Sequence, residues 1–454
     1  MMNRRSMTAV VLAFSASAAG AGNLAAQTSP SKITFEQAIQ IALRQNTDIL
    51  RAENATAMQE ASVTRQKLQF LPDLRLSTQA GSSVGRSFSQ DEGAIVNETT
   101  RSLNAGISSS VTLFDGMRNV ANLRSAQLGE SASEYDLERA RQTVVMNVAS
   151  NFLAVVQAEE QLRVRQEALA AQQAELQQIQ AFVDAGKRAI ADLHQQQASV
   201  AAARAAVVEA ERALGRARID VIETLQLDPA REYDFEAPAV GTNGGTAPVE
   251  ELDALIARAL QRRVDLNAAE ARERAAEQAV RAAAGNRWPT VTLSGSYSTG
   301  ATSASVLTLQ DQLDQRRGGS LSLNVSIPLF DRLSTSTATQ QARLQADNAR
   351  LDVQQQRQAV ALDVRRVWLD RQAASAQLEA AEARLEAAEK ALEATTERYR
   401  VGAATLLEVT QSRAAQVESA SALVNARYSL VLQRTLLAYH TGDLDPATAT
   451  LTGQ

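Results

Sequence analysis

Residues 320–335 read SLSLNVSIPLFDRLST. In an extended chain Leu321, Leu323, Val325, Ile327 and Leu329 point to one side, and Ser322, Asn324 and Ser326 point to the other. The alternation ends at Asp331, where a long stretch rich in Ala, Gln and charge begins. A strand with one apolar and one hydroxyl-bearing face therefore runs directly into a very long helix. LNAGISSSVTLFDG at 103–116 repeats the arrangement.

The 454-residue chain is 45% hydrophobic but only 4% aromatic, which is thin for ordinary globular cores and typical of long Ala- and Leu-rich helices. It contains no cysteine, which excludes disulfides, thiolate metal sites and a lipidated N-terminal Cys. A net charge of −5 argues against nucleic-acid binding. Residues 1–26 read as an export signal: Arg4 and Arg5 supply the positive segment, Met7 to Ala19 the apolar segment, and Leu24-Ala25-Ala26 the small residues before cleavage. That apolar segment is too short to anchor in a membrane, and no later run approaches the length of a spanning helix. If the mature chain meets a membrane, it does so with strands.

The chain repeats itself. ALRQNTDILRAE (42–53) aligns with ALQRRVDLNAAE (259–270), LPDLRLS (71–77) with WPTVTLS (288–294), TLFDG (112–116) with PLFDR (328–332), and Gly186 with Gly402. The spacing is 216 or 217 throughout. Two copies of one unit follow the signal, residues 27–227 and 249–442, joined by a turn-rich linker at 228–248 and followed by a tail at 443–454. Each unit is expected to hold a helix, two strands and a long helical hairpin. The strands are expected at 73–88 and 102–114 in the first copy, and at 290–301 and 320–330 in the second. Polar loops at 89–101 and 302–319 would join each pair, and the hairpin turns are expected at 184–190 and 399–404. Asp115 and Asp331 are placed to cap the long helices.

All four strands alternate apolar with Ser, Thr, Asn or Gln over lengths that span a bilayer, the pattern of a barrel with lipid outside and water inside. A soluble sheet with one buried face alternates in the same way. The export signal, the strand lengths and the lack of any segment to cover the apolar faces favour the barrel. Four strands cannot close one, because the smallest have about eight, and lipid tolerates no open edge. The barrel must be shared between chains. Phe70, Phe114, Trp288 and Phe330, with Pro72 and Pro289 beside them, mark the strand–helix junctions. They read equally as an interfacial girdle or as a packed plug.

The helix from Asp331 to Arg398 would span about 100 Å, and those at 404–441 and 249–287 about 57 and 58 Å. Two short helices end to end match one long one, which suits a wall of even height. Leu378, Leu385 and Leu392 recur every seven residues and form a heptad seam with Ala374, Ala381 and Ala388. Ala376, Ala380, Ala383, Ala387 and Ala394 form a second line on another face, as a helix with neighbours on both sides requires.

The segment ERYRVGAATLLEVTQSRAAQVESASALVNARYSLVLQRTLLAYHTGDL at 397–444 resembles the C-terminal hairpin of the TolC family of outer-membrane efflux proteins. The residues that carry the resemblance are Tyr399, Val401-Gly402, Glu408, Ala426-Arg427-Tyr428 and Gly442, with Gly186 and Asp192 in matching places of DAGKRAIADLHQQQAS (184–199). The resemblance covers essentially all of 32–444 and implies a mainly α fold with a small β part. Three chains would share a twelve-stranded barrel in a Gram-negative outer membrane, four strands from each, and a long twelve-helix barrel in the periplasm. It implies as partners a homotrimer, outer-membrane lipid, a periplasmic adaptor and, through it, an inner-membrane pump, with no cofactor. Adaptor docking would fall on Gly186, Lys187, Arg188, Val401, Gly402 and Ala403. The periplasmic entrance would be lined by Asp192, Tyr399, Glu408 and Gln411, with three copies of Glu408 forming a ring that favours cations.

Two positions depart from the family pattern: Ala404 stands where a basic residue often helps to hold the entrance shut, and Gln411 where a second acid is common. The two histidines, His194 and His440, and carboxylate pairs such as Glu159-Glu160 carry no metal or hydrolase pattern, so an export duct rather than an enzyme is expected. A periplasmic coiled-coil adaptor or a structural coiled coil is the alternative. Either would leave the four strands and the full-length repeat without a role.

Overall fold

A computed structural model describes residues 31–89, 93–236, 251–305 and 307–444. The expected signal at 1–26, most of the linker at 228–248 and nearly all of the tail at 443–454 lie outside the described residues. The elements run β1 (Ser31–Thr34), α1 (Phe35–Gln45), α2 (Thr47–Leu68), β2 (Arg75–Ser89), β3 (Ala94–Phe114), α3 (Arg118–Asp184), α4 (Ile190–Thr224) and β4 (Tyr233–Glu236). The second copy follows as α5 (Leu252–Arg262), α6 (Val264–Gly285), β5 (Thr290–Thr302), α7 (Leu309–Gln315), β6 (Gly318–Ser326), α8 (Ser334–Arg400) and α9 (Leu406–Thr441).

The repeat extends to single backbone angles. α3 and α8 are both 67 residues long, and each follows a residue in the left-handed region, Met117 and Leu333, which lie 216 positions apart. Gly186 and Gly402 share that spacing and that conformation, as do Gln226 and Gly442 after α4 and α9. The helix starts differ from the sequence expectation. Asp115 and Asp331 sit two residues before the N-caps Met117 and Leu333. Their carboxylates still satisfy first-turn donors, accepting from Asn119 N–H at 3.0 Å and Thr335 N–H at 2.8 Å.

One antiparallel sheet runs β2-β3-β5-β6, so the hairpins of the two copies pair side by side through β3 and β5. Its register sorts the two faces. Leu76, Ile107 and Tyr297 align in one row, and Val111, Leu293 and Leu323 in another. The rows between hold Ser108, Ser296 and Ser320, then Ser110, Ser294 and Ser322. Leu74, Leu76, Leu321 and Leu323 are 62–77% exposed, so among the described residues nothing covers the apolar face. Among the described residues β2 and β6 have no partner on their outer sides.

Strand ends differ from the sequence reading for backbone reasons. β3 begins at Ala94, not 102, because pairing with β2 continues to Ser89↔Ala94 through residues that break the alternating pattern. β6 begins at Gly318 and ends at Ser326 instead of running to 330, since Pro328 has no N–H to give the ladder. The connection at 302–319 contains α7, capped by Thr308, whose hydroxyl accepts from Asp311 N–H at 3.2 Å.

The helix expected over 249–287 is two helices, α5 and α6, broken at Arg263 as α1 and α2 are broken at Asn46. Asn46 Nδ2 donates to Thr224 O at 3.1 Å and Gln45 Nε2 to Leu225 O at 2.7 Å, which fastens the first break to the end of α4. In the second copy Gly442 takes φ 77 against Arg262, where a Cβ would meet backbone at 3.1 Å. Around these breaks lies the largest core. Within the stretch expected to be a patternless linker, β4 pairs in parallel with β1 from the start of the first copy and seats Phe235 against Phe152 (6.1 Å between ring centres), and Phe152 meets Phe35 at 5.5 Å. Among the described residues no helix is long and apolar enough to cross a membrane.

Arg263 is only 4% exposed and carries the second break. It pairs with Asp265 at 2.5 Å and Asp363 at 3.4 Å, while Gln356 donates to Asp265 at 2.9 Å. Burial pushes the Asp265 carboxyl up, but the bonds and charge of Arg263 outweigh it and hold the group below its ordinary value. Arg263→Ala removes the buried cation of this network, leaving Asp265 with Arg139 at 3.9 Å and Asp363 with Arg366 at 3.2 Å, and should cost about 1–3 kcal/mol. A urea midpoint unchanged from wild type would show that the network does not hold the break.

Candidate functional site

Both tips end in the same way. α3 closes with Gly186 at φ 69; Gly186 N–H donates to Val183 O at 2.9 Å and Lys187 N–H to Phe182 O at 2.8 Å. α8 closes with Gly402 at φ 80; Gly402 N–H donates to Tyr399 O at 3.1 Å and Ala403 N–H to Arg398 O at 2.8 Å. This paired closure requires a left-handed residue after the helix, which only glycine adopts without strain. A Cβ at either position would meet nothing within 4 Å, so both turns are open to the surroundings. Lys187, Val401 and Ala403 are exposed beside them.

The tips are joined within the chain by an apolar cluster of Ile179, Leu193, Tyr399, Leu406 and Val409. Arg188 reinforces it: its Nη2 donates to Tyr399 O at 2.9 Å and its guanidinium lies 4.1 Å above the Tyr399 ring. Burial pushes the Tyr399 phenol up, with Arg188 opposing and Asp192 and Glu175 adding to the shift. Asp192, in the first turn of α4, is half-buried near this ring. Arg188 is therefore engaged with Tyr399, and Arg400 pairs with Glu397 at 2.9 Å.

Glu408 also has a local role. It closes a capping box at the start of α9: its N–H donates to Thr405 Oγ1 at 3.3 Å, and Thr405 N–H donates to its Oε1 at 3.1 Å. Its other oxygen lies 3.6 Å from Arg398. The bonds from Thr405, backbone first, and the charge of Arg398 hold the Glu408 carboxyl below its ordinary value, so it is ionised at neutral pH. Gln411 is exposed one turn further on. Sequence reasoning missed Glu175 on α3 and Arg413 on α9, 3.1 Å apart and largely buried where the two hairpins meet. The signal was available, since each lies 11 residues from its tip glycine.

At the junctions Phe70, Phe114, Trp288 and Phe330 are 39–81% exposed, so they form no plug within the chain. Pro72 is exposed and Pro289 half-buried beside them. The close packing is instead at Gly116, where a Cβ would lie 2.3 Å from Gly285 O and 2.7 Å from Trp288 Cβ. His194 is exposed and bonds Gln197 at 3.1 Å, while His440 lies 3.9 Å from Asp363. Among the described residues no group of three His, Cys, Asp or Glu could hold a metal.

Two long hairpins on a four-stranded sheet, duplicated, recur among known proteins. The sequence profile of the outer membrane efflux protein family matches residues 38–225 and 255–443. The chain belongs to that family. It is 26% identical over 376 residues to the outer membrane protein TolC of Vibrio cholerae, covering 82% of each chain. It is 28% identical over 278 residues to the pyoverdine export outer membrane protein OpmQ of Pseudomonas aeruginosa, covering 60% of this chain and 57% of that one. Among solved structures it superposes on VceC of Vibrio cholerae with a TM-score of 0.77 at 19% identity, covering 90% of this chain and 96% of that one. CusC gives 0.77 at 18%, covering 90% and 92%. The protein is thus an outer-membrane channel of tripartite export systems, with its helical tunnel in the periplasm, and not an enzyme. Channels of this family work as trimers together with an adaptor and a pump.

Because Gln can replace Glu in a capping box, Glu408→Gln removes the charge and keeps the turn. If three copies of Glu408 ring the entrance, then in planar bilayers, with multivalent cations added from the tip side, this variant should weaken block about tenfold or more. An unchanged blocking constant would place Glu408 outside the lumen.

Proposed function

We propose that three copies of this chain close one barrel of twelve strands in outer-membrane lipid and one tunnel of twelve helices beneath it. The observation that carries this reading is the four-stranded sheet with two free edges and an uncovered apolar face, set on helices of 67 residues. The exposed Phe70, Phe114, Trp288 and Phe330 then form the girdle at the periplasmic border of the lipid. The row of Ala376, Ala380, Ala383, Ala387 and Ala394, exposed on α8, becomes the contact between neighbouring chains.

The tips are the entrance, and they are where the duct meets its periplasmic adaptor. Gly186, Lys187, Arg188, Val401, Gly402 and Ala403 form the docking surface. Their two open glycine turns present backbone and small side chains that a partner hairpin can approach closely. Asp192, Tyr399, Glu408 and Gln411 line the way in, and in place of a basic residue at Ala404 the closed tip relies on Arg188 over Tyr399. The chain reaches the outer membrane after removal of residues 1–26.

Gly402→Val is the test. Valine at φ 80 costs about 1–3 kcal/mol of local strain, enough to remodel one turn and too little to unfold helices of this length. Export in cells should be lost, while the outer-membrane fraction should still contain trimer whose N-terminus is Gln27. Normal export would remove the tips from the mechanism; retention of Arg4 would overturn the signal.

A further inference from the structure

The seam between the two hairpins of one chain is underpacked just above the tips. Two clefts, of about 720 and 370 Å3, open along it and share Ala171 and Arg413 in their walls. Arg413 reaches across the seam from α9, and its Nη2 lies 3.1 Å from Glu175 Oε2 on α3, with side chains 17% and 12% exposed. The two groups are close without being well bonded. Glu175 Oε2 and Arg413 Nε lack an aligned hydrogen-bond partner, as does the Tyr399 hydroxyl on the tip side. Since each residue is 11 positions from its tip glycine, the pair lies about 16 Å along the helices from the turns. Between the pair and the tips the hairpins meet on Ile179, Leu193 and Val409, with Arg188 bonded to Tyr399 O.

A buried ion pair repays its lost hydration only when its geometry is good and its remaining donors and acceptors are satisfied. Here Glu175 Oε2 and Arg413 Nε find no aligned partner among the described residues, so an apolar pair of similar size would hold the seam more firmly. When the hairpins part, the Arg413 and Glu175 side chains, 17% and 12% exposed in the closed seam, gain hydration on the faces they now bury against each other. The pair therefore weakens the closed seam and favours the opened one. We propose that Glu175 and Arg413 are a release element: they set the register of the two hairpins when closed and keep the seam separable. The inference rests on the reading of the tips as the entrance.

Purified trimers in planar bilayers test it through the ratio of open to closed time. Glu175→Met/Arg413→Leu should stay closed, the ratio falling about tenfold, equivalent to about 1.4 kcal/mol. The exchanged pair Glu175→Arg/Arg413→Glu should behave like wild type. If the apolar pair does not assemble, Glu175→Gln/Arg413→Gln removes both charges and should shift the ratio in the same direction. Openings of the uncharged variants as frequent as wild type, or more frequent, would overturn the release element. Glu175→Cys/Arg413→Cys, joined by a short thiol cross-linker, separates the two readings. A current undiminished by that lock would mean that the tips are not the entrance; a lock that closes the channel, with unaltered apolar variants, would refute only the release element.

Discussion

The architecture depends on one constraint: a strand edge cannot be left unpaired in hydrocarbon. Each backbone N–H or C=O without a partner there costs several kcal/mol, and no water is present to satisfy it. The sheet β2-β3-β5-β6 presents two such edges and an apolar face that the described residues do not cover. A shared barrel removes both edges at once. The helices inherit its symmetry, because each hairpin of the sheet leads directly into one hairpin of the tunnel, in the first copy through the close approach of Gly116 to Gly285.

Below the sheet the problem is height. A 67-residue helix is matched on its flank by stacked shorter ones, and the stacking points are where α1 gives way to α2 and α5 to α6. Each break exposes helix-end groups that must be satisfied. The first copy does so with Asn46 and Gln45 against the end of α4, and the second with the buried Arg263 network. The same chain thus solves one geometric problem in two chemical ways, amide in one copy and ion pair in the other. Toward the tips the seam combines the apolar cluster of Ile179, Leu193 and Val409 with polar contacts, Arg188 to Tyr399 and Glu175 to Arg413.

Much of this was legible in the sequence because lipid, water and neighbouring helices impose periods of two and seven. The duplication, the four strands and the heptads Ala374–Leu378–Ala381 follow from that, and Ala374 and Ala381 are buried as their seam requires. What stayed hidden has no period. The helical pattern runs through Arg263 without interruption, so only tertiary contacts show the break. Residues 94–101, AIVNETTR, break the alternation with adjacent Ile95 and Val96 and a polar run after them, and only their pairing with β2 shows them as strand. Met117 and Leu333 occupy left-handed positions that no side-chain preference announces. At the tips the glycines were visible, and so was the acid at Glu408. Its capping bond with Thr405 was written in the Thr-x-x-Glu spacing and was overshadowed by its place near the axis.

The most direct measurement of the central constraint is the mass of the folded protein extracted from outer membranes in mild detergent, with circular dichroism on the same sample. Three chains per particle, with strands and helices intact, are required if the sheet closes only between chains. A stable folded monomer that retains its strands would contradict it, because the edges of β2 and β6 would then have found partners, or water, without a neighbour.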